Sequence, residues 1–306
     1  MQLFDLHCDS IVKYRKFGEG FLCRKTQFSL NDEDGFERHC QTMAIFIPDD
    51  IRGGKATDYF NVHRDYLLTL TDKQSELVEM AYTGDDVLRI TNNGKCAVML
   101  SAEGGAVLAG KLENIDYMAR CGVQMITLVW NGENEIGSGH QTHYGLTAFG
   151  REAVKRMEEH NIIVDVSHLN DEGFEEICEI AGKPFIASHS NLRSVCPHNR
   201  NLTEEQFHEI VRRKGLVGLN LFEPFLSEEG SGTKDALLRH VYRMLELGGE
   251  NVIACGSDFD GADIHPSLDT PVKFAGAAQY LIDHGIGKEQ VRKMFFDNAL
   301  KFFMKK

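Results

Sequence analysis

Residues 160–190, HNIIVDVSHLNDEGFEEICEIAGKPFIASHS, decide the fold class. Two short apolar, β-rich runs, 162–168 and 184–190, flank a segment with a helical pattern. A strand, a crossover helix and a second strand make a βαβ unit, which indicates a parallel sheet. A histidine stands at or near the end of each run, His168 in the first and His189 in the second. Polar side chains therefore follow two neighbouring strands at one edge of the predicted sheet.

The same alternation extends over the rest of the chain. Six further apolar runs lie at 3–9, 41–49, 96–105, 123–130, 215–222 and 251–260, and helical patterns separate most of them. Eight strands with crossover helices in 306 residues fit a closed (β/α)₈ TIM barrel. The alternative is an open doubly wound sheet, whose site would lie at one switch point. Because polar residues follow runs one, three, five, six and eight, which only a closed barrel brings together, we predict an α/β protein with a single TIM barrel.

Local signals set the expected helices and domain organisation. A helix is predicted over 57–82, and others begin at Thr147, at Asn170 or Asp171, and at Thr203, with Gly215 as a stop signal. The chain shows no linker, repeat or low-complexity segment, so we predict one domain over residues 1–306.

Charge and hydropathy exclude several classes of partner. The formal net charge is −13, which disfavours nucleic acid and anionic membranes, since both bind basic surfaces. The opening MQLFDLHCDS lacks a signal-peptide pattern, and no run of about 18 apolar residues occurs. We therefore expect a cytoplasmic protein without membrane contact, whose 8 scattered cysteines are reduced.

Residues that can bind metal end five of the runs. Each has an ordinary alternative: a buried histidine bonded to aspartate, a solvated glutamate, a histidine that caps a helix or an aspartate that shapes a turn. Together they would converge on one rim of a barrel; they are His7, Asp9, Glu103, His168, His189 and Asp258. Two divalent ions sharing a carboxylate would hold a hydroxide between them and lower its pKa. Imidazole with carboxylate suits zinc, with manganese, cobalt or iron as alternatives. A second histidine pair, His140 and His143, forms H-x-x-H in a polar loop, where we expect solvated side chains rather than a metal site.

Six stretches resemble the membrane (renal) dipeptidase family, within the metal-dependent amidohydrolase-type barrels. In order they are DLHCDS (5–10), SAEGG (101–105), GLTAFGREAVKRMEEHNIIVDVSH (145–168), SHSNLRSVCPHNRNLTEEQF (188–207), GLVGLNLF (215–222) and GSDFDG (256–261). The resemblance implies that His7 and Asp9 bind one metal ion, that Glu103 bridges, and that His168 and His189 bind the other. It further implies zinc, and hydrolysis of dipeptides, including those with a C-terminal D-residue.

The resemblance also assigns groups to the substrate. Asp258 would handle the proton, and Arg200 would grip the free carboxylate of the dipeptide, for which a guanidinium fork is suited. Without the resemblance, Arg200 would be interpreted as a surface arginine before a helix. One departure stands out: mammalian members carry a substrate-contacting histidine after the fourth strand, where this chain has Trp130. We expect Asn131 or a metal ion to polarise the carbonyl in its place.

Together with the resemblance, these observations predict a cytosolic zinc dipeptidase with two metal ions. Glu103 and Asp258 would be catalytic, and the substrate would contact Trp130, Asn131 and Arg200. A binuclear-metal-activated hydroxide would attack the peptide carbonyl. Two alternatives stay open: another binuclear hydrolase acting on a cyclic amide, lactone or phosphoester, and a catalytically inert barrel that only binds a ligand. The expected partner is a small dipeptide, and a homodimer is an open expectation for the assembly.

Overall fold

Helices and strands alternate along most of the chain in a computed structural model that describes residues 1–32 and 35–304. The strands are β1 (Gln2–Cys8), β2 (Arg38–Phe46), β3 (Val78–Met80), β4 (Cys96–Glu103), β5 (Val123–Thr127), β6 (Ile163–Asp165), β7 (Ile186–Ala187), β8 (Leu216–Leu219) and β9 (Ile253–Cys255). The helices are α1 (Ser10–Phe17), α2 (Gly54–Lys73), α3 (Gly84–Asn92), α4 (Glu113–Arg120), α5 (Ala148–Glu159), α6 (Asp171–Ile180), α7 (Glu204–Arg213), α8 (Glu223–Leu226), α9 (Lys234–Glu246), α10 (Pro271–Asp283), α11 (Lys288–Arg292) and α12 (Asn298–Met304). Residues 33, 34, 305 and 306 of the predicted 1–306 span lie outside the described residues.

The strands form one parallel sheet that closes on itself. Hydrogen-bonded neighbours follow the order β2-β1-β9-β8-β7-β6-β5-β4, and β2 pairs in turn with β4. The closing pairs run from Cys40 opposite Ala97 to Phe46 opposite Glu103. The predicted eight-stranded TIM barrel is confirmed, and the open doubly wound sheet is excluded.

A ninth strand, β3, was missed in the sequence. The predicted helix over 57–82 ends at Lys73, and Val78 then pairs with Cys96 at the start of β4. On that side of β4, the barrel neighbour β5 pairs only from Leu100 onward. The short strand therefore covers backbone hydrogen-bonding groups that β5 leaves open, which is a tertiary requirement that a three-residue pattern does not reveal.

The helix boundaries follow their capping residues at the amino ends. Thr147, Asn170 and Thr203 each accept a backbone hydrogen bond at the start of α5, α6 and α7. The predicted stop at Gly215 is shifted, because Lys214 takes the left-handed conformation, with φ 60°, after α7. Gly215 serves packing instead, since a Cβ atom there would lie 2.0 Å from the Phe185 carbonyl oxygen.

The core lies between the barrel strands and the surrounding helices. Ile45 and Val98 on the strands and Phe60 and Leu67 on α2 are fully buried in one apolar cluster. Burial on this scale is the main stabilising contribution to the fold, and it holds the strand ends rigidly in place. Among the described residues, no helix combines the length and the apolar character that a membrane span requires.

Candidate active site

Six predicted site residues meet at the carboxyl ends of the barrel strands. His7 lies on β1 and Glu103 ends β4, while Asp9, His168, His189 and Asp258 follow β1, β6, β7 and β9. The donor atoms form three overlapping groups in which all atoms lie within 4.8 Å of one another. The structure therefore brings the predicted ligands together at one rim, where active sites of such barrels lie.

The carboxylate of Glu103 divides these donors into two clusters. Its Oε1 lies 3.0 Å from His168 Nε2 and 3.5 Å from His189 Nε2. Its Oε2 lies 3.6 Å from His7 Nε2, which in turn is 3.3 Å from Asp9 Oδ2. We call His7, Asp9 and Glu103 cluster A, and Glu103, His168 and His189 cluster B. One carboxylate with an oxygen toward each cluster has the form of a bridging ligand.

The two imidazoles of cluster B face each other with their Nε2 atoms. His168 Nε2 and His189 Nε2 are 2.9 Å apart. His168 Nδ1 lies 3.1 Å from the amide oxygen of Asn131, which only accepts, so the proton of His168 belongs on Nδ1. Its Nε2 then offers a lone pair, and two imidazole nitrogens this close together would suit a divalent cation as ligands.

Cluster A contains buried polar atoms that lack hydrogen-bond partners among the described residues. These atoms are His7 Nε2 and Asp9 Oδ1. Leaving such a group unsatisfied costs about 1–3 kcal/mol, and more when it is charged. A bound cation would satisfy both atoms, so the donor set of cluster A also fits a divalent metal ion.

Burial and neighbouring charges perturb the titration of the ligands. Burial lowers the pKa of His168 and of His189 well below the ordinary value, and nearby cations add to the effect. Burial also acts to lower the pKa of His7, but Glu103 and Asp9 raise it more, to about 10. Burial and the Asp9 charge raise the pKa of Glu103. Without metal, therefore, cluster B holds neutral imidazoles and cluster A holds a protonated one.

Asp258 faces cluster A from a strained turn. Its backbone has φ 65°, and Asn220 Nδ2 donates to its Oδ2 at 3.1 Å. Its Oδ1 lies 3.9 Å from His7 Nε2, and burial raises the pKa of the carboxyl group. Gly261 packs against this position, because a Cβ atom there would lie 2.5 Å from Asp258 Oδ1 and 2.1 Å from Asp9 Oδ2. The glycine of the SDFDG stretch thus gives two carboxylates room to approach.

Arg200 is buried, so its interpretation as a surface arginine is wrong. Its guanidinium donates to Ser190 Oγ at 2.7 Å and to the His189 carbonyl oxygen at 2.9 Å. It also lies 5.7 Å from the ring centroid of Phe225, a residue that lines the cavity beside the ligands. Burial lowers the pKa of Arg200 to about 10, which still leaves a cation at neutral pH.

Trp130 and Asn131 lie where the sequence places them, beside the ligands. The Trp130 ring packs edge-on against Phe46 at 4.7 Å, and both residues line the cavity. Asn131 also lines it, with its amide oxygen turned toward His168 Nδ1. Besides the predicted substrate contact, Asn131 is thus placed to orient a ligand.

His140, which was expected to be a solvated loop residue, is half-buried. His143 is exposed, but the Nδ1 atom of His140 is buried without a partner among the described residues. Its ring centroid lies 6.1 Å from that of His168, and the His140 backbone donates to the His168 carbonyl oxygen. Only the folding of loop 131–146 onto the rim brings this residue to the site, and the H-x-x-H pattern alone does not distinguish His140 from the exposed His143.

The cavity in front of the clusters has a volume of about 400 Å³ and is lined by Glu103, Trp130, His168, Phe222 and Asp258, among others. A larger cavity, of about 740 Å³, is lined by residues at the amino ends of strands, such as Ile163 and Leu216. It contains none of the predicted ligands. The predicted ligands therefore identify the smaller cavity as the candidate active site, although size alone would favour the larger one.

A closed parallel barrel with imidazole and carboxylate donors at the carboxyl ends of its strands is typical of metal-dependent hydrolases. The family model of the membrane dipeptidases (peptidase family M19) matches residues 1–306. The chain therefore belongs to the membrane dipeptidase family.

Individual relatives agree with this assignment. Dipeptidase tcpJ of Claviceps purpurea (strain 20.1) is 29% identical over 244 residues, which cover 78% of this chain and 57% of tcpJ. This chain thus matches little more than half the length of that relative. The crystal structure of dipeptidase AC, a metallopeptidase of family M19, superposes with TM-score 0.92 at 25% identity, covering 99% of this chain and 98% of the other. A metallopeptidase of Rhodobacter sphaeroides, solved with a phosphinate mimic of the dipeptide L-Ala-D-Ala, shares the fold with TM-score 0.92 at 24% identity, covering 99% of this chain and 98% of the other.

Proposed function

We propose that this chain is a metal-dependent dipeptidase, formed by one hydrolase domain over residues 1–306. The observation that carries the proposal is the Glu103 carboxylate, with one oxygen toward each of two buried donor clusters. Membership of the dipeptidase family and the likeness to tcpJ support the substrate class.

The donors of clusters A and B would hold two divalent ions, and their imidazole–carboxylate mixture favours zinc. Such ions lower the pKa of a water molecule and polarise a carbonyl group when bound. In cluster B the buried, neutral imidazoles of His168 and His189 are in the protonation state that metal binding needs.

The residues around the clusters would bind the dipeptide and move the proton. Arg200 supplies a cation for the free carboxylate of the dipeptide, next to Phe225, which lines the cavity. The amide oxygen of Asn131 is engaged with His168, so its NH₂ group is left to donate toward the substrate carbonyl. Asp258, held at Oδ2 by Asn220, takes a proton at Oδ1 from the attacking water and passes it to the leaving amine.

A substrate screen tests the proposal. Purified protein is offered L,L- and L,D-dipeptides, including L-Ala-D-Ala, with and without added zinc, and again after exhaustive chelation. Cyclic amides, lactones and phosphoesters are assayed in parallel as the alternative substrate class. We expect dipeptide hydrolysis that chelation abolishes and zinc restores. Undiminished hydrolysis by the chelated protein would refute the metal mechanism, and turnover restricted to the second panel would replace dipeptides as the substrate.

A further inference from the structure

The partner of His189 Nδ1 is the hydroxyl group of the preceding residue, Ser188. Ser188 Oγ lies 2.7 Å from His189 Nδ1 and donates to Asp165 Oδ2 at 2.5 Å. Asp165 is fully buried and also accepts from Thr127 Oγ1 at 2.6 Å and from the backbone N–H groups of Ser167 and Ser188 at 3.1 and 2.9 Å. Four donors thus hold one carboxylate in a fixed orientation.

The direction of these hydrogen bonds determines the tautomer of His189. A serine hydroxyl has a single hydrogen, and here Asp165 receives it. Ser188 can then only accept from His189, so the imidazole proton lies on Nδ1. The lone pair is left on Nε2, the atom that lies 3.5 Å from Glu103 Oε1 in cluster B.

We propose that Asp165, acting through Ser188, is a positioning residue that holds His189 in the Nδ1–H tautomer and aims its Nε2 at the metal ion of cluster B. This inference rests on the metal site of the proposed function. Hydrogen-bond partners of this kind fix the ring orientation of metal-binding histidines and make them more basic.

A near-duplicate of the pair elsewhere on the rim provides a matched control. Ser257 Oγ donates to Asp5 Oδ2 at 2.5 Å, and the Ser257 backbone N–H donates to Asp5 Oδ1 at 2.8 Å. Asp5 is as fully buried as Asp165. Ser257 Oγ, however, contacts the backbone of His7 and Phe259 rather than an imidazole nitrogen. Substitutions of this second pair disturb the same kind of buried bond without touching a histidine ring.

The experiment compares Asp165→Asn and Ser188→Ala with Asp5→Asn and Ser257→Ala in the full chain. Zn²⁺ affinity of the metal-free protein is measured by competition with a chromophoric chelator, and the Co²⁺ form is examined by visible absorption. We expect the first two variants to weaken one of the two Zn²⁺ sites by roughly 10–100-fold and to change the Co²⁺ spectrum. The control variants should lower the Tm of the metal-free protein but keep both affinities.

Parental affinities in Asp165→Asn and Ser188→Ala, or equal losses in the two control variants, would overturn the inference. If Asp165→Asn does not fold, Ser188→Ala decides, because it removes one hydroxyl and leaves the carboxylate with its other donors. A parent protein that binds no Zn²⁺ would instead overturn the proposed function itself, together with this inference. The two failures are therefore distinguishable.

Discussion

Replacing Asp258 by asparagine separates three roles for this side chain: proton carrier, metal ligand and turn residue. Asparagine keeps the shape of the side chain and tolerates the left-handed conformation, with φ 65°, better than most residues. Its carbonyl oxygen can still accept from Asn220 Nδ2, now at 3.1 Å from Asp258 Oδ2. The NH₂ group then takes the place of Oδ1, which lies 3.9 Å from His7 Nε2. The substitution thus removes proton acceptance and one buried negative charge near His7, while it keeps the shape of the side chain.

The expected loss in kcat is the range for general acid–base catalysis, roughly 10²–10⁴-fold, which corresponds to about 3–5 kcal/mol of transition-state stabilisation. The assay measures kcat for a dipeptide together with metal content per chain. Asp263→Asn is the control, because it removes an exposed carboxylate from the same loop and should leave kcat unchanged.

Each role of Asp258 gives a different result. If Asp258 carries the proton, the Asp258→Asn variant loses kcat and keeps its metal. If Asp258 is a metal ligand, the variant loses metal and activity together. The grouping of Asp258 with His7 and His189 also allows this role. Near-parental kcat in a metal-replete Asp258→Asn variant would refute the proton-transfer role, and Asp258 would then be only a turn residue.

Three further outcomes are expected. Arg200→Ala should reduce kcat/KM for dipeptides by roughly 10²-fold, about 3 kcal/mol, and have little effect on C-terminally amidated substrates. The cavity-lining Lys13, whose side chain is 44% exposed, gives the control Lys13→Gln, and equal losses on both substrates would make Arg200 structural. Zinc binding near pH 8 should release at least one proton, since the pKa of His7 is raised to about 10 in the metal-free protein. Zinc affinity should therefore fall by roughly tenfold for each pH unit below about 10. Calorimetry in buffers of different ionisation enthalpy measures this release, and a buffer-independent heat would contradict it. Gly261→Ala should lower metal content and rate, because its Cβ atom would collide with Asp9 Oδ2. The control Gly276→Ala, which has open space around it, should change neither. An unchanged metal content in Gly261→Ala would show that the carboxylates can move aside.

Much of the architecture is encoded locally. Apolar runs alternating with helical patterns predict a parallel barrel, because strand burial and crossover connections leave few other arrangements. The predicted ligands could be identified as one site for the same reason: each ends a run, and a closed barrel brings all strand ends to a common rim. The N-caps at Thr147, Asn170 and Thr203 were also readable, since a capping side chain acts on its own helix.

Only the tertiary structure decided which polar residues around the ligands matter and what each one contacts. Strand β3 forms because it covers an open edge of β4, and the three-residue segment carries no local signal of its own for this pairing. His140 and Asn131 reach His168 because their loop folds onto the rim, and Arg200 is buried because it binds the backbone and side chain of a neighbouring strand end. Each of these contacts joins residues distant in sequence, and its energy depends on distance and burial, which appear only when the chain is packed.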